Sequence, residues 1–248
     1  MPKNIKFLTF LIIGIISLSS SAHAAVDSEV SYILNTLLFL ISGFLVMWMA
    51  AGFAMLESGL VTSKSVATIA AKNIGLYSIA GLMFWLIGYN LAYGIPEGGF
   101  IGNLLPWSDA SSIETGYSDG SDWFFQMVFC ATTCSIVSGT MAERIKIWPF
   151  FLFCAILAGV IYPIEMGWQW GKGHLYTAGF SDFAGSTLVH SAGAAAALAG
   201  AILLGPRLGR FTDSGEAAPM APFASSSIPL ATLGVFILWM GWFGFNGG

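Results

Sequence analysis

Residues 182–204 read DFAGSTLVHSAGAAAALAGAILL, an aspartate followed by a long run of small and apolar residues that contains one histidine. Within the run, Gly193, Ala197 and Ala201 recur at every fourth position, so in a helix they lie along one face. In a bilayer, helices associate by close packing of small residues, because there is no hydrophobic force between them. Residues 186–204 are therefore predicted to form a membrane span with a smooth face for a neighbouring helix.

Two polar residues of this stretch are candidates for function. His190 lies near the N-terminal end of the predicted span, and an ionisable residue inside a span faces the bundle interior or a water-filled path. The alternative is a neutral imidazole that hydrogen bonds two helices. Asp182 precedes the helix, where an aspartate caps free backbone N–H groups and suits the positive end of the helix dipole. Capping and a direct functional role are compatible for this residue.

The composition of the 248 residues indicates a membrane protein, since 56% are hydrophobic and only 9% are charged. A soluble domain carries about a quarter charged residues. The net charge of −4 argues against nucleic acid as a partner, because nucleic acid is bound by clustered Lys and Arg. Cys130, Cys134 and Cys154 all fall in apolar runs, and their number and spacing fit neither a disulfide framework nor a metal site. We interpret them as packing residues.

The chain contains six apolar segments of a length that suits membrane helices. They cover residues 32–56, 67–93, 122–141, 148–163, 186–204 and 228–248. The first, third and fifth connections are flanked by basic residues, whereas the second has none and the fourth has only Lys172. The basic residues are Lys64, Lys72, Arg144, Lys146, Arg207 and Arg210. Because basic residues mark the cytoplasmic side, the odd-numbered connections are predicted to be cytoplasmic and the mature N-terminus external.

Residues 1–24 have the pattern of a secretory signal peptide. Lys3 and Lys6 precede a short apolar core at residues 7–18, and Ala22-His23-Ala24 has the small-x-small form of a cleavage site. Cleavage would leave Ala25 outside the cytoplasm, in agreement with the orientation from the basic residues. An uncleaved first helix is the alternative. We expect residues 25–248 to form one membrane-embedded domain.

Aromatic residues are concentrated in the fourth connection and the sixth segment. Trp170 lies in a Gly-rich, nearly uncharged turn, where an indole ring can hold a small cation by cation–π attraction. An interfacial aromatic belt is the alternative explanation. Phe125 and Phe129 are four residues apart in the third segment and share a helix face, which ordinary packing also explains.

Four strings together resemble one family, the ammonium transporters of the Amt/Mep/Rh group. They are GFAMLESGL at 52–60, GTMAER at 139–144, DFAGSTLVH at 182–190 and GWFGFN at 241–246. The similarity covers residues 25–248. It implies an all-α polytopic membrane bundle that comprises the first five-helix repeat of an inverted-repeat fold plus the start of the sixth helix. It also implies a homotrimer in which each subunit has its own pore.

The resemblance assigns roles to five residues. Trp170 and Phe129 correspond to the aromatic residues that recruit ammonium outside the membrane, and Phe129 and Phe245 to the stacked pair that closes the pore below. His190 corresponds to the first of two pore histidines. Asp182 corresponds to the acidic residue that organises the site and takes part in deprotonation.

Two departures from the family pattern accompany these assignments. Glu57-Ser58 stands where bacterial members often have Tyr-Gly. The second pore histidine belongs to the second repeat, and a recruitment-site serine is expected just after Gly248, where the sequence ends in an apolar run. We therefore expect the N-terminal half of a bacterial-type transporter. If a stop codon follows the codon for Gly248, the truncated product is expected not to transport by itself.

The function implied is uptake of ammonium across the bacterial inner membrane. Moving a bare ion of this size into a dielectric near 4 costs on the order of 20 kcal/mol, so the pore would pass neutral ammonia and handle the proton separately, near Asp182 and His190. An ammonium sensor on the same fold is the alternative. An enzyme is not expected, because His190 and Asp182 lack a second catalytic partner; no cofactor or metal is predicted. A P-II type signalling protein is the cytoplasmic partner that the resemblance implies.

Overall fold

A computed structural model describes residues 27–212, 214–217, 219 and 223–248 of the chain. Over this part the chain forms nine α-helices: α1 Ser28–Leu60, α2 Val66–Met83, α3 Tyr89–Tyr93, α4 Asp119–Met141, α5 Ile147–Ile156, α6 Tyr162–Gly167, α7 His174–Thr177, α8 Leu188–Leu204 and α9 Ile228–Phe245. The predicted signal peptide, residues 1–24, lies outside the described residues.

Two pairs of these helices are continuous rods. A π-helical turn at Phe84–Gly88 joins α2 to α3, and a second at Leu157–Ile161 joins α5 to α6. Five continuous helical segments of the described chain are thus long and apolar enough to cross a membrane. The sixth apolar helix, α8, has 17 residues. The prediction of an all-α polytopic bundle is confirmed.

Capping residues explain two boundaries that the apolar pattern missed. Helix α1 begins at Ser28 rather than Tyr32, because the Asp27 carboxylate accepts the Glu29 N–H at 3.0 Å and starts the helix earlier. Helix α8 begins at Leu188, two residues later than predicted. His190 consequently lies in the first turn of α8.

Small residues bring the helices together as predicted for a membrane bundle. Gly193 and Ala197 of α8 are buried, and a side chain at Gly193 would lie 2.9 Å from Ile136 of α4. Helices α1 and α9 approach even more closely, since a Cβ atom on Gly234 would lie 2.6 Å from the Gly52 carbonyl oxygen. Only glycine permits these backbone contacts.

Helix α4 lies in the middle of the bundle and packs against α1, α2 and α8. Its thiols are free and buried. The Cys130 Sγ donates to the Ala158 carbonyl at 3.4 Å, and Ala158 belongs to a π-helical turn, which rearranges the regular hydrogen bonds of a helix. This contact supports the interpretation of Cys130 as a packing residue.

A buried ion pair joins three helices at the predicted cytoplasmic end of the bundle. Lys72 Nζ of α2 lies 3.1 Å from Glu57 Oε2 of α1, and both side chains are only 4% exposed. Lys72 also donates to the Ser138 carbonyl of α4 at 2.7 Å, and the Ser138 hydroxyl donates to Glu57 at 2.8 Å. Lys72 is therefore an internal partner of Glu57, and its count as an interfacial basic residue was wrong.

Glu143 connects two loops outside the spans. Its carboxylate lies 2.8 Å from the Arg207 guanidinium and accepts hydrogen bonds from the Thr62 backbone N–H and hydroxyl. Burial alone would raise the pKa of Glu143, but the hydrogen bonds from Thr62 and the charge of Arg207 outweigh burial. The pKa therefore lies below the ordinary value of 4.5.

This lowered pKa predicts a dependence of stability on pH. A carboxyl with a lower pKa in the folded chain stabilises it fully above the ordinary value of 4.5, and this contribution is lost as the pH falls through the folded value. Glu143→Gln is expected to reduce the drop in melting temperature between about pH 6 and about pH 4. Thermal melts in detergent would check this, with the exposed Glu97→Gln as control. An acid-induced drop equal to that of the unmodified chain would contradict the prediction.

Candidate functional site

A cavity of about 360 Å³, here called the aromatic cavity, opens at the end of the bundle that carries the second and fourth connections. It is lined by Phe39, Tyr89, Tyr93, Tyr117, Asp122, Phe125, Gln126, Phe129, Trp170, Phe183, Phe245 and Gly248. Three of the predicted site residues, Trp170, Phe129 and Phe245, thus line the same cavity. Their rings supply the negative π faces that attract a cation.

Phe129 and Phe245 are the most buried of the rings that line this cavity. Their ring centroids are 4.1 Å apart, and both side chains are 2% exposed. The Trp170 ring meets Phe129 edge-on at 5.8 Å, and Phe125 meets it from another side at 4.8 Å. The two phenylalanines come from α4 and α9, so their contact depends on how these helices are rotated against each other.

His190 contacts the phenylalanine pair through Phe245. Its ring is 5.4 Å from Phe245 and stacks on Trp242 at 5.9 Å. The Nδ1 atom is 3.2 Å from the Gly185 carbonyl oxygen. Because a carbonyl only accepts, Nδ1 carries the proton, and in the neutral imidazole Nε2 is left as an acceptor. The ring thus offers a proton-accepting nitrogen.

Asp182 caps the beginning of α8 with all of its carboxylate. Its two oxygens accept four backbone N–H groups at 2.7–3.2 Å, from residues 185–188. The capping role predicted from the sequence is confirmed by these contacts. They also explain why α8 begins at Leu188, since residues 185–187 are held in a turn around the carboxylate.

The same loop positions the indole of Trp170. The Trp170 Nε1 donates to the backbone carbonyl of Asp182 at 2.8 Å. Gly185 has a φ of +83°, and a Cβ atom there would lie 2.9 Å from the Trp170 ring, so glycine is required by both conformation and space. One loop therefore fixes Trp170 on the cavity side and the helix turn that carries His190.

Several lining residues were missed from the sequence. The Tyr89 hydroxyl donates to the Asp122 carboxylate at 2.6 Å, and both residues line the aromatic cavity with Gln126. The available signal was the spacing on α4, because Asp122, Gln126 and Phe129 share a helix face. In the predicted segments Asp122 is only the first residue of a span.

A model of the Ammonium Transporter Family matches residues 37–248 of the chain. Ammonium transporter Amt2 of Archaeoglobus fulgidus is 42% identical over 84% of this chain and 46% of its own length. A putative ammonium transporter of Synechocystis, sll1017, is 39% identical over the whole of this chain and 57% of its own length.

Solved structures of Amt and Mep proteins have a similar fold. A sensor Amt protein has a TM-score of 0.77 at 36% identity, over 86% of this chain and 53% of the other. The Mep2 protein of Candida albicans has a TM-score of 0.73 at 27% identity, over 89% of this chain and 49% of the other. The chain spans about half the length of the relatives it matches. By the extent of the family match and the identity to these relatives, the chain belongs to the ammonium transporter family.

Proposed function

We propose that the chain takes part in moving ammonium across a membrane, with the aromatic cavity as the entry site. The observation that carries the proposal is the series of ring contacts in the site. The Trp170 ring lies 5.8 Å from Phe129, Phe129 lies 4.1 Å from Phe245, and Phe245 lies 5.4 Å from His190. A cation that enters meets π faces first, then an apolar barrier, then an imidazole nitrogen.

The proton is separated at this barrier in the proposed mechanism. A charged ion loses most of its hydration in passing two buried phenylalanines, whereas neutral ammonia loses far less. The unprotonated Nε2 of His190 takes the proton that ammonium releases, so one N–H bond of ammonium breaks as the Nε2–H bond forms, and neutral ammonia moves inward. Potassium has no proton to release, so the same barrier excludes it.

The geometry supports a positioning role for Asp182 in this mechanism. Four backbone N–H groups occupy its carboxylate, which leaves little capacity for accepting a further proton. We propose that Asp182 organises the site by holding Trp170 and the first turn of α8. This replaces a direct part in deprotonation with an indirect one.

The remaining assignments follow from the family and the sequence. We propose a multi-pass protein of the bacterial inner membrane, with the aromatic cavity external and the Glu143 loop cytoplasmic. A cleaved signal peptide at residues 1–24, a homotrimer with one pore per subunit, and a cytoplasmic P-II type partner belong to the same proposal. Since the relatives are named as transporters, we propose transport rather than catalysis.

The alternative function is ammonium sensing. A protein named as a sensor shares this fold at a TM-score of 0.77, so the fold alone does not separate the two functions. Uptake of labelled methylammonium distinguishes them, because a sensor binds the ion without accumulating it. Uptake is expected when the protein is expressed from its own gene in cells that lack other ammonium transporters.

His190→Ala tests the proposed role of the imidazole. Proton-coupled ammonium current is expected to fall by about tenfold or more, the lower range for loss of a proton-handling side chain. Current recorded on a supported membrane would measure this. His174→Ala is the matched control, because His174 lies in the fourth connection, outside the aromatic cavity, and is expected to leave the current unchanged. Equal currents for His190→Ala and the unmodified protein would refute the assignment.

A further inference from the structure

We propose that Asp122 is the counter-charge for a small monovalent cation in the aromatic cavity, and that ammonium or methylammonium is the class of ligand it holds. This inference rests on the proposed function, since it names the residue that binds the cation before the phenylalanine barrier. It adds an anionic group to the entry site, for which the sequence analysis identified only aromatic residues.

The charge distribution of the cavity is the first observation. Among the described residues that line the cavity, Asp122 is the one side chain with a formal charge, the others being aromatic residues, Gln126 and Gly248. Only 7% of Asp122 is exposed. A buried anion among aromatic rings attracts a cation strongly, because little water screens it and the rings add π attraction of the same sign.

The hydrogen-bonding groups of the cavity are the second observation. The Tyr89 hydroxyl donates to Asp122 Oδ2 at 2.6 Å. The Gln126 amide oxygen is buried with no hydrogen-bond partner in the described part of the chain. A buried unpaired acceptor is costly, and an N–H of a bound ammonium relieves the cost. Carboxylate and amide oxygens together provide acceptors that suit a cation with several N–H donors.

A purely structural role for Asp122 would be the usual one of an acid in the first turn of a helix. Asp119 lies in the same turn of α4 and serves that purpose, and its carboxylate accepts the Ala110 N–H at 2.9 Å. Asp119 does not line the aromatic cavity. Asp119 is therefore the charge at the helix end, and Asp122 is the charge available to a ligand in the cavity.

The test compares Asp122→Asn with Asp119→Asn in two measurements. For Asp122→Asn, the methylammonium concentration at half-maximal uptake is expected to rise about tenfold, as for loss of a poorly screened opposite charge, with the maximal rate little changed. Asp119→Asn is expected to leave both values unchanged. Titration of the purified protein with ammonium chloride, followed by tryptophan fluorescence, is expected to give the same shift in affinity.

The two measurements distinguish failure of this inference from failure of the proposed function. If the unmodified protein binds ammonium but does not accumulate methylammonium, transport is refuted and the fluorescence titration still tests Asp122. If uptake occurs and Asp122→Asn leaves the half-maximal concentration unchanged, the role of Asp122 is refuted and transport stands.

Tyr89→Phe provides a second test in case Asp122→Asn does not fold. This change keeps the carboxylate but removes the hydroxyl that occupies Oδ2. Without the hydroxyl, Asp122 Oδ2 is free to accept an N–H of the bound cation. Ammonium is therefore expected to bind about threefold more tightly. Unchanged or weaker binding would overturn the proposal that the carboxylate faces the ligand.

Discussion

Lys72→Met is expected to lower the free energy of unfolding by about 3–5 kcal/mol, the range for removal of one partner from a buried ion pair. The change leaves the Glu57 carboxylate enclosed between α1, α2 and α4 without its counter-charge, at 4% exposure of the side chain. It also removes the donor to the Ser138 carbonyl. That carbonyl lies in the last turn of α4, where carbonyl groups lack partners within the helix.

A double variant separates the charge from the packing. In Glu57→Leu/Lys72→Met both charges are replaced by apolar side chains of similar volume, and stability is expected to return close to that of the unmodified protein. Unfolding in detergent with increasing denaturant would measure the free energy of unfolding of the unmodified protein and of both variants. Lys64→Met is the matched control, since Lys64 is an exposed lysine in the neighbouring turn Ser63–Ser65. Equal stability of Lys72→Met and the unmodified protein would show that the pair is not needed for the fold.

Local signals explain what the sequence predicted correctly. Apolar run length located the membrane helices, the four-residue repeat of small residues identified the face of α8 that packs on α4, and Asp182 was identified as a cap. Each of these depends on residues that are close in the chain. The missed helix starts at Ser28 and Leu188 also follow from capping, because Asp27 and Asp182 determine where backbone N–H groups are first free to join a helix.

Contacts between distant helices explain what was not predicted. A charged residue near a helix end is common, so neither Glu57 nor Lys72 signals burial in the sequence. Only the rotation of α1 and α2 against α4 directs the two side chains toward each other and away from water. The same applies to Asp122, whose carboxylate meets Tyr89 across two helices at 2.6 Å. The π-helical turns that join α2 to α3 and α5 to α6 have no apolar signature, since they change the hydrogen bonds and not the composition.

The candidate site was located by resemblance more than by pattern. Periodicity gave Phe125 and Phe129 a common face, but ordinary packing explained it equally well, and nothing local links Phe129 to Phe245. Their 4.1 Å contact joins α9 to α4, and α9 is itself held against α1 by the close approach of the two helices at glycines. The sequence also could not predict which ring nitrogen of His190 carries the proton. That choice is determined by the hydrogen bond to the Gly185 carbonyl in the turn before α8.

The second large effect is expected for Asp182→Ala. Four backbone N–H groups lose their acceptor at once, and the free energy of unfolding is expected to fall by at least about 2 kcal/mol, the upper range for loss of a single cap. Uptake of methylammonium is expected to fall by more than about tenfold, because a small displacement of site residues has effects of this size or larger. Trp170 and His190 both depend on this loop, through the Asp182 and Gly185 carbonyls.

Asp182→Asn distinguishes the cap from a proton acceptor. The asparagine oxygen can still accept two of the four N–H groups, but its amide group meets the other two as a donor, so stability and uptake are expected to fall together, less far than in the alanine variant. A proton acceptor without a structural role would instead lose uptake at unchanged stability. Asp109→Ala is the control, because Asp109 accepts the Ser111 N–H in an exposed loop and its loss is expected to change stability by no more than about 0.5 kcal/mol. Thermal melts and uptake assays on the same preparations distinguish the capping role from the proton-acceptor role. An Asp182→Asn protein that is as stable as the unmodified protein but has no uptake would show that Asp182 accepts the proton.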